Sequence, residues 1–404
     1  MKLFTVLLCL FCSAAIFADN SECYRSVQSF NVLPSNTAAE NSKNLQNAID
    51  WASPKGAALF FEPSDMPYRI DGGLVLKANV SLVGVHGPVG RGTSHPDKKQ
   101  PVGSVIAITD KENVFITVEN ATQIRGLQFW YPEQELDDPQ KIIEYPATIQ
   151  ASKTKGSQGV TLSCLTFYGE FLAMDFCGSS KHIVEQILFE HCYGYPLSGE
   201  FIRVDYCYDI PRILHCHVNP ANRRFIDGGY SKAVIDSVVN RGTFTYTIDH
   251  TDNAQLIDLF TFGAYGGIYL GPETYGQLTN FNLDCVTVGI HKLGGNDFNR
   301  CWQIAQGSII ANVGKRVEDI HPFIIEGKGG CAITNVESFS GHNGALTTIG
   351  KSQDYMLVKG SDRVMVTMVG CNMRNYVADK PIDNRNPNAE IKTVACFDKL
   401  GNDF

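Results

Sequence analysis

From Val160 onward the chain repeats one phrase: an aliphatic residue, two or three mixed residues, a second aliphatic or aromatic pair, then a break at Gly, Asn or His. The phrase is anchored at Val160, Ile183, Ile210, Val234, Leu256, Leu278, Ile310, Ile333 and Val364. Successive steps of 23, 27, 24, 22, 22, 32, 23 and 31 residues average 25.5. Within each interval apolar positions alternate and end at turn residues, the period-two signature of strands, with no space for a ten-residue helix. A propeller blade of ~40 residues is too long for this period, and the Leu-x-x-Leu-x-Leu skeleton of a leucine-rich repeat is missing. The pattern predicts an all-β fold: a single-stranded right-handed parallel β-helix with three parallel sheets, each coil stacking ~4.8 Å from the next.

A solenoid needs its ends covered. Residues 35–52 place Leu45, Ala48, Ile49 and Ala52 on one helical face, which predicts an N-terminal capping helix ahead of coils running from about 56 to 400.

Met1-Lys2, an apolar run from Leu3 to Phe17, and Ala18 before Asp19-Asn20 read as a signal peptide over residues 1–18. The run is shorter than the ~20 residues of a membrane-spanning helix. The expectation is a secreted (extracellular or periplasmic) chain with one β-helix domain over 19–404. The formal charge of −8, without a Lys/Arg run, argues against nucleic acid as a partner, and no membrane partner is expected. Eleven of the 13 cysteines follow the leader at irregular spacing, an odd number that makes no disulfide framework. Beyond Cys9 and Cys12 of the leader there is neither a CxxC pair nor HExxH, and no metal site is expected.

The capping segment is followed by Gly56-Ala57-Ala58-Leu59-Phe60-Phe61-Glu62-Pro63, then Tyr68-Arg69-Ile70, Leu74-Val75-Leu76 and Asn79-Val80-Ser81-Leu82-Val83-Gly84. This opening resembles the pectate-lyase-3 or glycosyl-hydrolase-28-related (pectin-lyase-like) superfamily, with Ser64-Asp65-Met66-Pro67 where that family has a Gly-containing turn. The resemblance covers about fifty residues closely and implies a β-helix that acts on polysaccharide by hydrolysis or β-elimination. It transfers no catalytic set: the polygalacturonase motifs are absent, the sole Asp137-Asp138 lies in a charged loop, and His86 and His342 are each flanked by only one Gly. Ile248-Asp249-His250 is similar to the Trp-Ile-Asp-His of pectate lyases, with Thr247 in the place of Trp.

Asp175, Asp205, Asp227 and Asp249 each follow an apolar residue, at spacings of 30, 22 and 22. If Met174, Val204, Ile226 and Ile248 face the core, the four aspartates share one outer face. Carboxylates stacked at ~5 Å would repel by ~3 kcal/mol per neighbour at an effective dielectric of about 20, so the ladder must hold a proton, a cation or an Arg. One reading makes Asp205, Asp227 and Asp249 the catalytic acid and base groups; the other makes each Asp a cap of its turn. In the catalytic reading Arg203, His250, Tyr246 and Tyr269 contact substrate. The same register places Cys177 and Cys207 at equivalent positions in adjacent coils, and Glu273, His291 and Lys292 mark where to look should the ladder be turn chemistry.

Three functions stay open: a glycosidic-bond hydrolase without a cofactor, which the crowded carboxylates favour slightly; a Ca²⁺-assisted polysaccharide lyase; and a noncatalytic carbohydrate-binding protein. The oligomeric state is left open.

Overall fold

The computed structural model describes residues 23–85, 99–294 and 300–404. The apolar leader and His86 lie outside the described residues. Strands wind into parallel ladders that form three sheets, as the repeat predicts. Sheet A contains Leu74–Leu76, Ile116–Val118, Ile149–Ala151, Met174–Cys177, Ile202–Asp205 and Phe244–Ile248. It continues through the C-terminal parts of the long strands Phe260–Leu270 and Gly276–Lys292 to His321–Ile325, Met356–Val358 and Ile382–Asn384. Sheet B follows A in each coil and sheet C follows B across a sharp corner.

The interior is a set of side-chain columns. Ile116, Ile149, Met174, Ile202, Tyr246, Ile268, Ile290, Phe323 and Met356 occupy one register position of sheet A, and every one is fully buried. Stacking puts each side chain against its counterpart one coil away, so burial is continuous along the axis. The corner between B and C is a second column: Cys164, His191, His215, Asp258, Asn280, Gln306 and Asn335 all adopt positive φ between 51° and 56°. These are the breaks in the sequence phrase, and Asn, Asp and His tolerate the left-handed conformation better than most non-Gly residues.

Helix α1 (Ala38–Ala52) covers the N-terminal end. It starts later than residue 35 because Thr37 caps the Glu40 amide while the Glu40 side chain returns to the Thr37 amide, closing a capping box. Leu45, Ala48, Ile49 and Ala52 are fully buried on its inner face. Two further helices, α2 (Arg224–Asp227) and α3 (Lys232–Val239), lie in an insertion between Val218 of sheet C and Phe244 of sheet A. Pairing corrects several anchors: Ile187 rather than Ile183 pairs with Val160, Ile213 rather than Ile210 with Leu256, and Met368 rather than Val364 with Ile333. Val234 belongs to α3, whose buried Val234, Ile235, Val238 and Val239 have the aliphatic density of a strand phrase at helical spacing. Ile310 lies in the sheet C part of its strand, and the residue in phase with Leu278 and Ile333 is Ile304.

No disulfide links the eleven cysteines from Cys23 to Cys396 among the described residues. Cys177 stands opposite Asp205 rather than Cys207, because parallel pairing matches the inward Met174 with Ile202. Cys207 lies two residues further along, bridged to Val184 and Thr251.

Candidate active site

The outer face of sheet A carries the polar chemistry. One outward position holds, coil by coil, Gln150, Asp175, Arg203, Thr247, Tyr269, His291, Ile324 and Leu357. The predicted ladder therefore slips: Asp175 stands beside Arg203, not Asp205. Lys153 lies 3.1 Å from Asp175. Burial would raise the Asp175 carboxyl, but the Lys153 ammonium, a Cys177 hydrogen bond and the Arg203 guanidinium hold it below its ordinary range.

Asp205 and Asp249 do form adjacent rungs, each following a residue of the Val204–Ile248 pair. The Asp249 amide donates to the Val204 carbonyl at 2.8 Å. His250 Nδ1 lies 2.9 Å from Asp205 Oδ1 and 3.4 Å from Asp249 Oδ1, so the imidazole bridges the carboxylates. Its ring stacks on Tyr206 at 4.6 Å and 12°. Tyr206 and His250 both turn into positive φ, 54° and 35°, as the strands leave the sheet. Burial raises the Asp249 carboxyl, and the charges of Asp205 and Glu273 add to this against His250.

Two predicted site residues are elsewhere. Asp227 ends α2, outside the sheet, and pairs with buried Arg223 at 2.6 Å. Its apolar-Asp spacing arose from a helical turn. Tyr246 is fully buried, with Oη donating to the Cys216 and Phe260 carbonyls at 3.3 and 3.1 Å; it occupies the same rung position as Met174 and has no access to a sugar. Arg203 and Tyr269 are on the face. Arg203 lies 3.7 Å from Glu200. Tyr269 packs between Phe244 (5.5 Å) and His291 (5.4 Å, edge-on).

One pair went unread in the sequence. His291 Nε2 lies 2.7 Å from Glu326 Oε1, and Lys359 approaches the other Glu326 oxygen at 3.4 Å. Burial lowers the His291 imidazole although Glu326 opposes it. The partners are 35 residues apart, and no local motif links them. Its chain neighbour Lys292 points inward, fully buried, with Nζ donating to the Lys328 carbonyl at 2.8 Å.

Asp205, Asp249 and His250 offer two oxygens and a nitrogen, all within 4.8 Å of one another. Ca²⁺ takes six to eight oxygen ligands, so this donor set does not fit it. It can instead share protons: one carboxyl raised by burial and a like charge, a second one rung away, and an imidazole between them.

No family model matches the chain, and no curated protein matches it in sequence. Solved structures do match in shape. A mutant of DFA-IIIase from Arthrobacter chlorophenolicus A6 in complex with DFA-III superposes with a TM-score of 0.60 at 9% identity, over 93% of this chain and 95% of that one. DFA-IIIase from the same organism gives 0.55 at 8% identity, over 92% and 94%. Its complex with GF2 gives 0.52 at 10%, over 89% and 97%. At such identities the likeness establishes the shared β-helix fold.

Proposed function

We propose that this protein is a secreted enzyme that cleaves glycosidic bonds of a polysaccharide by hydrolysis, with Asp249 as the acid and Asp205 as the ionised carboxylate. The single observation carrying this reading is the Asp205–His250–Asp249 arrangement on the open face of sheet A. Asp249, raised by burial and by the charge of Asp205, is suited to hold a proton and deliver it to the leaving oxygen. One oxygen of each carboxylate lies within 4.8 Å of the other, short of the ~6.5–9.5 Å of inverting glycosidases and so on the side of the retaining ones. In that geometry Asp205 attacks the anomeric carbon, and Asp249 then activates the water that releases the sugar. His250 positions both groups. The β-helix neighbours, whose names include a complex with DFA-III, are compatible with a carbohydrate substrate.

Incubation with a panel of polysaccharides, read by mass spectrometry and anomeric NMR, tests the reading. Expected are saturated products of retained configuration, insensitive to chelator. The Asp249→Asn and Asp205→Asn variants should each lose about a hundredfold or more in kcat while remaining folded. Unsaturated, ultraviolet-absorbing products would point instead to β-elimination. That route has a poor base in Arg203: burial would lower its pKa, but Cys177, Glu200 and Asp175 beside it raise it overall. Binding without products would indicate a noncatalytic protein. Secretion rests on the apolar leader, and N-terminal sequencing of the exported chain should start near residue 19.

A further inference from the structure

The face of sheet A does not end at His291. Three coils beyond Asp249 it becomes apolar, where Val288, Ile324 and Leu357 form their own buried cluster with Phe244 and Tyr265 packed against it, apart from the main core. A groove of about 370 Å³ opens over this cluster, with Tyr265, Ile324 and Leu357 on its floor and Val239 of α3 on one side. Its rim is polar, carrying Lys315, Asp319 and Lys359. Thr287 also lines it, only 3% exposed, and its hydroxyl has no hydrogen-bond partner among the described residues. A buried hydroxyl left unpaired costs ~1–3 kcal/mol, which a bound polar group would offset.

Ring contacts run from the groove toward the candidate active site. The Phe244 ring contacts Tyr265 at 5.8 Å on one side, and Tyr269 and His291 at 5.5 and 6.0 Å on the other. Room for that ring comes from Gly266 in the next coil, where any Cβ would lie 2.1 Å from Phe244 Cδ1. An occupant must place one apolar face on Tyr265, Ile324 and Leu357 while presenting hydroxyls to Thr287 and the charged rim. A pyranose or furanose ring has that split character, whereas an acyl or aryl group would leave Thr287 and the rim without partners.

We propose that this groove is a sugar subsite holding a unit of the substrate on the coils two to four beyond the acid pair, ~10–19 Å along the axis. The inference rests on the hydrolase reading for its substrate class, and adds that productive binding needs an oligosaccharide longer than a disaccharide. The decisive variant is Thr287→Val, which keeps the shape and removes the unpaired hydroxyl, so the fold should be as stable or slightly more so. Size-graded malto-, cello-, xylo- and inulo-oligosaccharides of two to six units and aryl monosaccharides serve as probes, with turnover by the wild type and calorimetric binding to Asp249→Asn.

The expected result is a fall of about fivefold in the hexasaccharide-to-disaccharide ratio of kcat/KM for Thr287→Val, with a larger fall for Tyr265→Ala. Cleavage with that ratio unchanged in Thr287→Val and Tyr265→Ala would overturn the subsite and leave the hydrolase reading standing. Hexasaccharide binding that weakens with Thr287→Val, without turnover by the wild type, would support the subsite and overturn the hydrolase. A Thr287→Val effect confined to aryl monosaccharides would overturn the sugar as occupant, and neither binding nor turnover with any probe would overturn both proposals.

Discussion

Glu170 sits at the corner between sheets C and A, fully buried, with Oε1 accepting the Tyr195 amide at 2.7 Å and Oε2 unpaired among the described residues. Burial pushes its carboxyl from an ordinary 4.5 up to about 8, against the lowering influence of nearby amides and Arg223. Below pH 4.5 both folded and unfolded chains carry the proton and the stabilisation is complete. As the pH rises, the unfolded chain releases its proton first, so stability falls until the folded form ionises too, near 8. Wild-type Tm should therefore decline between about pH 5 and 8, and Glu170→Gln should flatten that decline; calorimetry across the range checks it. Residue chemistry of this kind was invisible in the sequence, because Glu170, Arg223 and Tyr195 meet only when three connections fold onto one corner. Asp205, Asp249 and His250 were legible, since each stands next to a strong strand phrase.

At the scale of strands, the register decides which residues share the site. Leu270 pairs with Ile248, placing Gly271 over Asp249 so that a Cβ on Gly271 would lie 2.6 Å from Asp249 Oδ1. Gly271→Ala should displace the flexible carboxylate while leaving the core columns intact. Activity should drop about tenfold or more, with Tm changing by only a few degrees, a split that paired kinetics and thermal melts detect. The aspartate ladder failed at Asp175 and Asp227 for a related reason. Spacings of 30, 22 and 22 suggested one coil per step, whereas paired positions step 28 residues from Asp175 to Arg203 and 44 from Arg203 to Thr247, the second step carrying α2 and α3. Apolar alternation identifies a strand but not its partner. The inward residue that fits its neighbour sets the pairing.

For the molecule as a whole, cohesion comes from stacked columns rather than cross-links. Since no disulfide links these eleven cysteines among the described residues, reductant should leave Tm unchanged, and thiol titration of the denatured exported chain should count eleven. A lower count, or a Tm that falls with reductant, would reveal a bridge. The same stacking makes the site an extended strip, running from Lys153 and Asp175 through Asp249 to Leu357, as suits a polymer better than a compact ligand.

The sequence by itself determined the architecture, because a β-helix repeats one local rule: an apolar strand phrase, a break at a residue tolerant of positive φ, and another strand. It also determined the capping helix and singled out Asp205, Asp249 and His250 as candidates, although Asp205 reaches His250 only across 45 residues of chain. Only the tertiary structure decided the slip that places Asp175 against Arg203, the burial of Tyr246, the removal of Asp227 to an insertion, and the His291–Glu326 pair. Each depends on the length of the connection between coils, which sets the rung a residue reaches and leaves no periodic trace in the chain.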